Sequence, residues 1–317
     1  MCGKKFLLSV VVPCFNEEDS VEIFLREMKK IEPVLSEKKV SLEFVFVDDG
    51  STDGTLKILK ELSQNDSRIR FVSFSRNFGK EAALYAGLLK ARGDFVATMD
   101  ADLQDPPELI PRMIEELSDG EKKFDCVATR RVTRKGEPKI RSLFARLFYK
   151  ILKNLSDIEV VDGARDFRVM TKKYRDAVIS LSERTRFTKG IFPWVGFATK
   201  WLEYENVERA AGKTKWSFRK LFLYSIDGIV AFSTKPLMFS SLLGLVESSL
   251  AIFVLIFVVV RRMIFGDPVA GWASTICIIL FTTGLNMFVL GISGQYIAKI
   301  YTEAKRRPIF IVREESF

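Results

Sequence analysis

Two long apolar runs near the end of the chain restrict its fold more than any other feature. Leu237–Val260 covers 24 residues with a single charge, Glu247, and Gly271–Ala298 covers 28 residues with none. A bilayer core takes about 20 apolar residues as helix. The runs therefore predict two transmembrane helices, with Arg261 to Ala270 as a short hairpin loop. Buried core helices are the competing reading, and they fit poorly, since helices this long and this evenly apolar are uncommon in soluble domains. Two spans put both ends of the chain on one side. Lys299, Lys305, Arg306, Arg307 and Arg313 follow the second run and point to the cytoplasm, while Arg261 and Arg262 pull weakly the other way. The expectation is a two-span protein of the cell membrane with the domain before the runs and both termini cytoplasmic. Glu247 is costly in lipid and is expected to face the other helix or another subunit, which leaves a homo-oligomer open.

Composition removes whole classes of chemistry. The 317 residues contain no histidine, which excludes Ser-His-Asp triads, Cys-His pairs and HExxH zinc sites. Cys2, Cys14, Cys126 and Cys277 show no CxxC spacing, so zinc ribbons and thioredoxin-like redox chemistry are also excluded. Acid–base work falls to Asp, Glu, Lys, Tyr or Cys, and any metal must be hard and oxygen-bound. The net charge of +9 gathers around membrane-adjacent elements without any nucleic-acid motif, so no nucleic-acid partner is expected. The start of the chain, Met1–Val12, lacks a cleavage-site pattern and reads as a buried strand rather than a signal peptide.

Residues 1–130 alternate between strand and helix patterns. Strands are predicted at Leu7–Val12, Leu42–Val47, Ile69–Phe74, Phe95–Met99 and Phe124–Thr129, all continuous apolar or β-branched runs. Helices are predicted from about Ser20, with Asp19 and Glu22 as a capping box, and over Thr55–Leu62, Lys80–Lys90 and Pro107–Leu117. This order implies an α/β fold with a mostly parallel, doubly wound sheet, in which ligands sit beyond the carboxyl ends of the strands. Arg141–Leu155 and Lys215–Ile226 carry apolar residues at helical spacing with basic residues elsewhere on the wheel. They are expected either to pack on the sheet or to lie in the membrane interface against anionic lipids.

The predicted strand ends carry acids. Pro13-Cys14-Phe15-Asn16-Glu17 follows the first strand, Asp48-Asp49-Gly50-Ser51 the second, and Asp100-Ala101-Asp102-Leu103-Gln104-Asp105 the fourth. Clustered carboxylates are costly unless cations or hydrogen-bond donors meet them. Asp100 and Asp102 form a DxD pair that can hold one Mg²⁺ or Mn²⁺ together with a substrate diphosphate. Asp48 or Asp49 can bond a nucleobase and ribose, with Ser51, Thr52 or Asp53 capping the next helix. Asp105 is expected to be a structural N-cap ahead of Pro106 and Pro107. There is no GxGxxG and no GxxxxGK[ST], so neither a dinucleotide oxidoreductase nor a P-loop NTPase is supported.

VVPCFNE (11–17), VDDGSTDGT (47–55), SRNFGKEAAL (75–84), MDADLQDPPE (99–108), DFRVM (166–170), FTKGIFPWVGF (187–197) and ERAAGKTKWSF (208–218) together resemble glycosyltransferase family 2. More narrowly they resemble its polyprenyl-phosphate glycosyltransferases, the bactoprenol glucosyltransferases and dolichol-phosphate mannose synthase relatives. The resemblance implies a GT-A, Rossmann-like fold, a nucleotide-diphosphate-sugar donor, a divalent metal (Mg²⁺ or Mn²⁺) and a polyprenyl phosphate acceptor such as undecaprenyl phosphate. It implies donor contacts from Pro13, Phe15, Glu17, Asp48, Asp49 and Asp100, and metal contacts from Asp100, Asp102 and Gln104. It makes Asp166 the catalytic carboxylate, preceded here by Arg165 where the family usually has glycine. Arg130, Arg141 and Arg209 become candidates for the acceptor phosphate, and Lys213 and Lys215 fall in a loop before an interface helix. The implied organisation is a catalytic domain over 1–210, an interface region over 211–235, a two-helix membrane domain over 236–300 and a basic tail over 301–317. UDP-glucose is the favoured donor, with UDP-N-acetylglucosamine and GDP-mannose as alternatives. A processive polysaccharide synthase would need a QxxRW motif, which none of Gln64, Gln104 and Gln295 begins. A catalytically silent membrane scaffold is the alternative of another class.

Overall fold

The protein was described from a computed structural model, which covers residues 5–118, 123–131, 161, 163–204, 226–265 and 271–317. The expected interface helices at Arg141–Leu155 and Lys215–Ile226 lie almost wholly outside these residues. Arg141, Arg209, Lys213 and Lys215 lie outside them too.

Among the described residues eight strands form one sheet: β1 (Phe6–Cys14), β2 (Val40–Asp48), β3 (Ile69–Phe74), β4 (Phe95–Thr98), β5 (Cys126–Arg131), β6 (Ala164–Thr171), β7 (Thr199–Tyr204) and β8 (Val312–Glu315). Their order is β7-β5-β6-β4-β1-β2-β3-β8. The block β4-β1-β2-β3 is parallel, as is β5 with β7, whereas β6 and β8 run antiparallel to their neighbours. The sheet is thus GT-A-like and mixed, less parallel than the sequence pattern implied. Its antiparallel strands lie in the stretches where no strand was predicted.

Alternation within β1 explains the layering. Leu8, Val10 and Val12 pack with Phe24 and Met28 of α1 (Val21–Glu37), Leu59 of α2 (Thr55–Asn65) and Met113 of α4 (Ile110–Ser118). Val11 faces the other way, toward Leu88 of α3 (Lys80–Lys90), Val178 of α5 (Lys172–Ser180) and Phe192 of α6 (Thr188–Trp194). A period of two sends successive side chains to opposite layers, so both faces of the sheet are covered. Helix α3 lies so close that a Cβ on Gly87 would come within 2.2 Å of the Val11 side chain. The predicted capping box at Asp19 is not formed: Ser20 occupies the N-cap position and its hydroxyl bonds Glu17 instead. Asp53 is not the N-cap of α2 either: Gly54 takes that position, and the Asp53 carboxylate accepts the Thr55 amide at 3.0 Å from one residue further out.

The apolar runs form α7 (Lys235–Phe265) and α8 (Trp272–Ala304), both longer than predicted, with Arg261 inside α7 rather than in a loop. Both are long and apolar enough to cross a membrane, and their apolar windows are not buried by the protein. The stretch 301–317, expected to be a basic tail, instead returns to the catalytic sheet as β8 against β3. Phe310 stacks on Phe74 at 4.8 Å between centroids, and Phe317 lies 4.4 Å from the Arg70 guanidinium. Arg and Lys are frequent in the stretch, but its consecutive β-branched and aromatic residues Ile309, Phe310, Ile311 and Val312 give it strand character.

Candidate active site

The chain winds from β1 through β2 to β3 on one side and places β4 on the other, so the order of strands switches between β1 and β4. Open α/β sheets bind ligands in the crevice at such a switch point. The segments at the ends of these two strands are 13–17, whose first two residues still belong to β1, and 100–105, the segments singled out from sequence.

Register then brings in Asp166. Strand β6 runs antiparallel to β4 with Thr98 opposite Arg168, so two residues further along Asp100 meets Asp166. Between them sits Lys80, the first residue of α3. Its Nζ lies 2.7 and 2.9 Å from the two oxygens of Asp100 and 2.6 Å from Oδ2 of Asp166. Burial opposes the ammonium charge, but the two carboxylates outweigh it and hold the lysine above its ordinary pKa. Burial likewise opposes ionisation of Asp166, and Lys80, then Lys189 and Arg168, override it and pull that carboxyl well below the usual range. Among the described residues Arg168 makes no carboxylate pair: it donates to the Arg165 carbonyl at 2.9 Å and stacks on Phe192.

Lys80 is itself positioned by Asp49. The Asp49 carboxylate accepts from the Phe78 amide at 2.6 Å and from the Gly79 amide at 2.9 Å, which fixes the backbone just before α3. Burial pushes its pKa up to about 6 against the pull of those amides. Asp48 is equally committed, accepting from the Ser51 amide at 3.0 Å and the Ser73 hydroxyl at 2.7 Å. Both are nearly fully buried. Their carboxylates hold these loops together. Gly50, at φ +67°, completes the turn, and a Cβ there would lie 2.4 Å from the Arg76 carbonyl carbon. Pro13, Phe15 and Glu17 line the neighbouring loop at intermediate exposure. Asn16 ties that loop to the Asp48 turn by accepting from the Thr52 amide at 2.8 Å.

The DxD loop has its own anchor. Arg165, the departure from the family's glycine, donates to Asp105 Oδ1 at 3.0 Å and to Gln104 Oε1 at 3.3 Å. Tyr204 donates to the same Asp105 oxygen. Asp105 is therefore not a helix N-cap: Pro106 takes that position before the 3₁₀ turn Pro107–Leu109, and the buried Asp105 is the hub between strands and loop. The Gln104 side-chain oxygen, expected on a metal, faces Arg165. Leu103 takes φ +54°, a strained value for a branched side chain, and the Gln104 amide closes the turn on Asp102 Oδ1 at 3.2 Å.

The donors at the strand end are the hard carboxylate oxygens of Asp100 and Asp102. Among the described residues no group of three or more His, Cys, Asp or Glu converges on one point. Two carboxylates suit a Mg²⁺- or Mn²⁺-type ion that takes its other ligands from substrate phosphate and water, so the residues present fit a cation carried with a diphosphate.

On the far side of β6 lies a cavity of about 810 Å³, walled by Ala164, Arg168, Lys189, Trp201, Phe232 and Tyr296 among others. It reaches from the strand bearing Asp166 to the base of the apolar hairpin, where the Tyr296 hydroxyl donates to the Ser233 carbonyl at 2.6 Å. Arg130 stands at the end of β5 on the same edge and pairs with Glu203. Sequence reasoning had given no role to Lys80, Lys189, Arg165 or Tyr204. The motifs SRNFGKEAAL and FTKGIFPWVGF contained the two lysines, but nothing local says that they turn toward Asp166.

The family model described as Glycosyl transferase family 2 matches residues 9–178. An uncharacterized glycosyltransferase, sll0501 of Synechocystis sp., is 39% identical over 97% of this chain and 95% of its own length. A prophage bactoprenol glucosyl transferase homolog of Escherichia coli K12 is 38% identical over 96% and 98%. The bactoprenol glucosyl transferase of Shigella phage SfV is 37% identical over 97% and 98%. Among solved structures, glucosyl-3-phosphoglycerate synthase from Mycobacterium tuberculosis, in complex with Mn²⁺, UDP-glucose and phosphoglyceric acid, aligns with 71% of this chain and 78% of its own at 22% identity and a TM-score of 0.45.

Proposed function

The chain belongs to glycosyl transferase family 2, and from that premise we propose that it moves glucose from UDP-glucose to the phosphate of a polyprenyl lipid such as undecaprenyl phosphate. The observation that carries this reading is the placement of Asp166 opposite the Asp100–Asp102 pair, beside a cavity that runs to the foot of a membrane-length hairpin. Relatives named for bactoprenol glucosyl transfer, similar over nearly the whole chain, support the acceptor and the sugar.

In this reading the nucleotide lies over the loop of Pro13, Phe15 and Glu17, backed by the Asp48–Asp49 turn, with its diphosphate at Asp100 and Asp102. A Mg²⁺ or Mn²⁺ ion bound there would offset the charge that builds on the leaving diphosphate. The acceptor phosphate approaches from the cavity side, where Lys189 offers an ammonium and Arg130 a guanidinium at the rim. A phosphomonoester has a second pKa of about 6, so at neutral pH the nucleophile is already largely dianionic. It needs orientation more than deprotonation. Asp166, kept ionised by the cations around it, orients the acceptor and is a weak base. A single in-line displacement inverts the anomeric carbon, so an α-linked nucleotide sugar yields a β-linked lipid phosphate. The hairpin holds the active edge at the bilayer, with the catalytic domain and both termini on the cytoplasmic side, where nucleotide sugars are found.

Incubating membranes that contain the protein with undecaprenyl phosphate and labelled UDP-glucose, UDP-N-acetylglucosamine and GDP-mannose tests this. The expected result is lipid-soluble label from UDP-glucose. Label from one of the other donors alone would reassign the sugar, and label from none would favour a silent scaffold.

A further inference from the structure

Lys80 stands where two demands conflict. Its ammonium bonds Asp100, the carboxylate that the proposed donor complex also needs, at 2.7 Å, and Asp166 at 2.6 Å. Without a donor, this ammonium is the cation that these two carboxylates share. A bare divalent ion arriving at Asp100 and Asp102 must displace it or sit beside it, and like charges at such range repel strongly when partly buried. A divalent ion arriving with a diphosphate brings anionic oxygens of its own. Lys80 can then release Asp100, keep Asp166 and turn toward the diphosphate, so both cations stay paired.

Resting on the function proposed above, we propose that Lys80 makes divalent-cation binding conditional on the donor diphosphate: it repels the free ion and accepts the ion–diphosphate pair. Its place is set from outside the site. Asp49 holds the amides of Phe78 and Gly79, and Gly79, at φ +99°, sets the start of α3. Lys80 is thus a positioning residue whose charge decides the order of binding. A lysine serving only to brace α3 would affect metal binding with and without nucleotide alike, and always toward weaker binding.

The test is Mn²⁺ uptake by the full-length protein in detergent, followed by the loss of the free-ion EPR signal, with and without uridine diphosphate. Lys80→Gln keeps a hydrogen-bond donor without the charge, Lys80→Met serves as a second neutral variant, and Lys80→Arg restores the charge. The expected result is that the neutral variants bind Mn²⁺ alone about tenfold more tightly than wild type, that the gain from uridine diphosphate shrinks to match, and that Lys80→Arg behaves as wild type. Unchanged or weaker binding of Mn²⁺ alone by both neutral variants would overturn the inference. A wild type that takes up no Mn²⁺ even with uridine diphosphate would instead overturn the donor-site reading, and the inference with it.

Discussion

Asp166 faces Lys80 directly and Lys189 across the site, and their charges outweigh the cost of burying its carboxylate. Its pKa is depressed, so it remains ionised throughout the range in which the enzyme would work. Its contribution to stability is complete above its ordinary pKa of about 4 and is lost only as pH falls well below that. No rate limb near neutrality belongs to it. The expected kcat/KM profile rises with ionisation of the acceptor phosphate near pH 6 and is flat from pH 7 to 9. A steep rise through pH 8 to 9 would mean a different base. Arg165 gives a second prediction at this scale. Asp105 is buried, with one oxygen shared by Arg165 and Tyr204 and the other without a partner among the described residues. Arg165→Leu strips the charge partner from a buried carboxylate and is expected to cost about 3–5 kcal/mol in denaturant unfolding of the catalytic domain. A loss near zero would show that the DxD loop does not depend on that pair. The DxD pair could be read from the chain because its members are adjacent and end an apolar strand. Lys80, Asp166 and Asp100 could not be linked that way, since they lie 20 and 86 residues apart and only register joins them.

Elements differed in legibility for the same reason. Strands β1 to β4 were visible as continuous apolar runs because helices cover both faces. Strand β6 went unnamed because Arg165, Asp166 and Arg168 interrupt its apolar pattern, and those are the residues that serve the site. Strand β8 was hidden by charge: Arg313, Glu314 and Glu315 read as tail, yet Glu314 and Glu315 pair with Lys60 and Lys90 across the sheet edge. The chain leading into that strand also braces the proposed donor side. Phe310 stacks on Phe74, which meets Phe78 edge-on, and the Phe78 amide is held by Asp49. Phe310→Ala is expected to lower stability by about 2 kcal/mol, less than the 3–5 lost from a fully buried ring, and to raise KM for the nucleotide sugar more than it lowers kcat. Melting curves and steady-state kinetics on one preparation check both. An unchanged KM would detach β8 from the donor site.

For the molecule as a whole, the hairpin and the catalytic sheet are one structure. Glu303 near the end of α8 receives the Arg184 amide at 2.6 Å, Lys299 pairs with Asp227, and the chain beyond α8 closes the sheet. Both ends of the hairpin therefore return to the same body. The apolar windows of α7 and α8 have mean hydropathies of 2.6 and 1.5 and no cover from the protein, and exposed apolar surface on this scale marks a membrane or protein contact. Glu247 lies within α7. Glu247→Leu is expected to change oligomer size or melting in detergent while leaving donor KM alone. If light scattering and melting both stay as in wild type, the residue has no assembly role.

The central claim is sugar transfer at a carboxylate edge facing lipid, and the most direct measurement uses purified protein in nanodiscs containing undecaprenyl phosphate. UDP release and lipid-linked glucose are followed together, and the anomer of the product is read by NMR. The account predicts one UDP per lipid-linked glucose, a β-configured product, and loss of both signals with Asp102→Asn. UDP release without lipid product, an α-configured product, or an Asp102→Asn variant as active as wild type would contradict it.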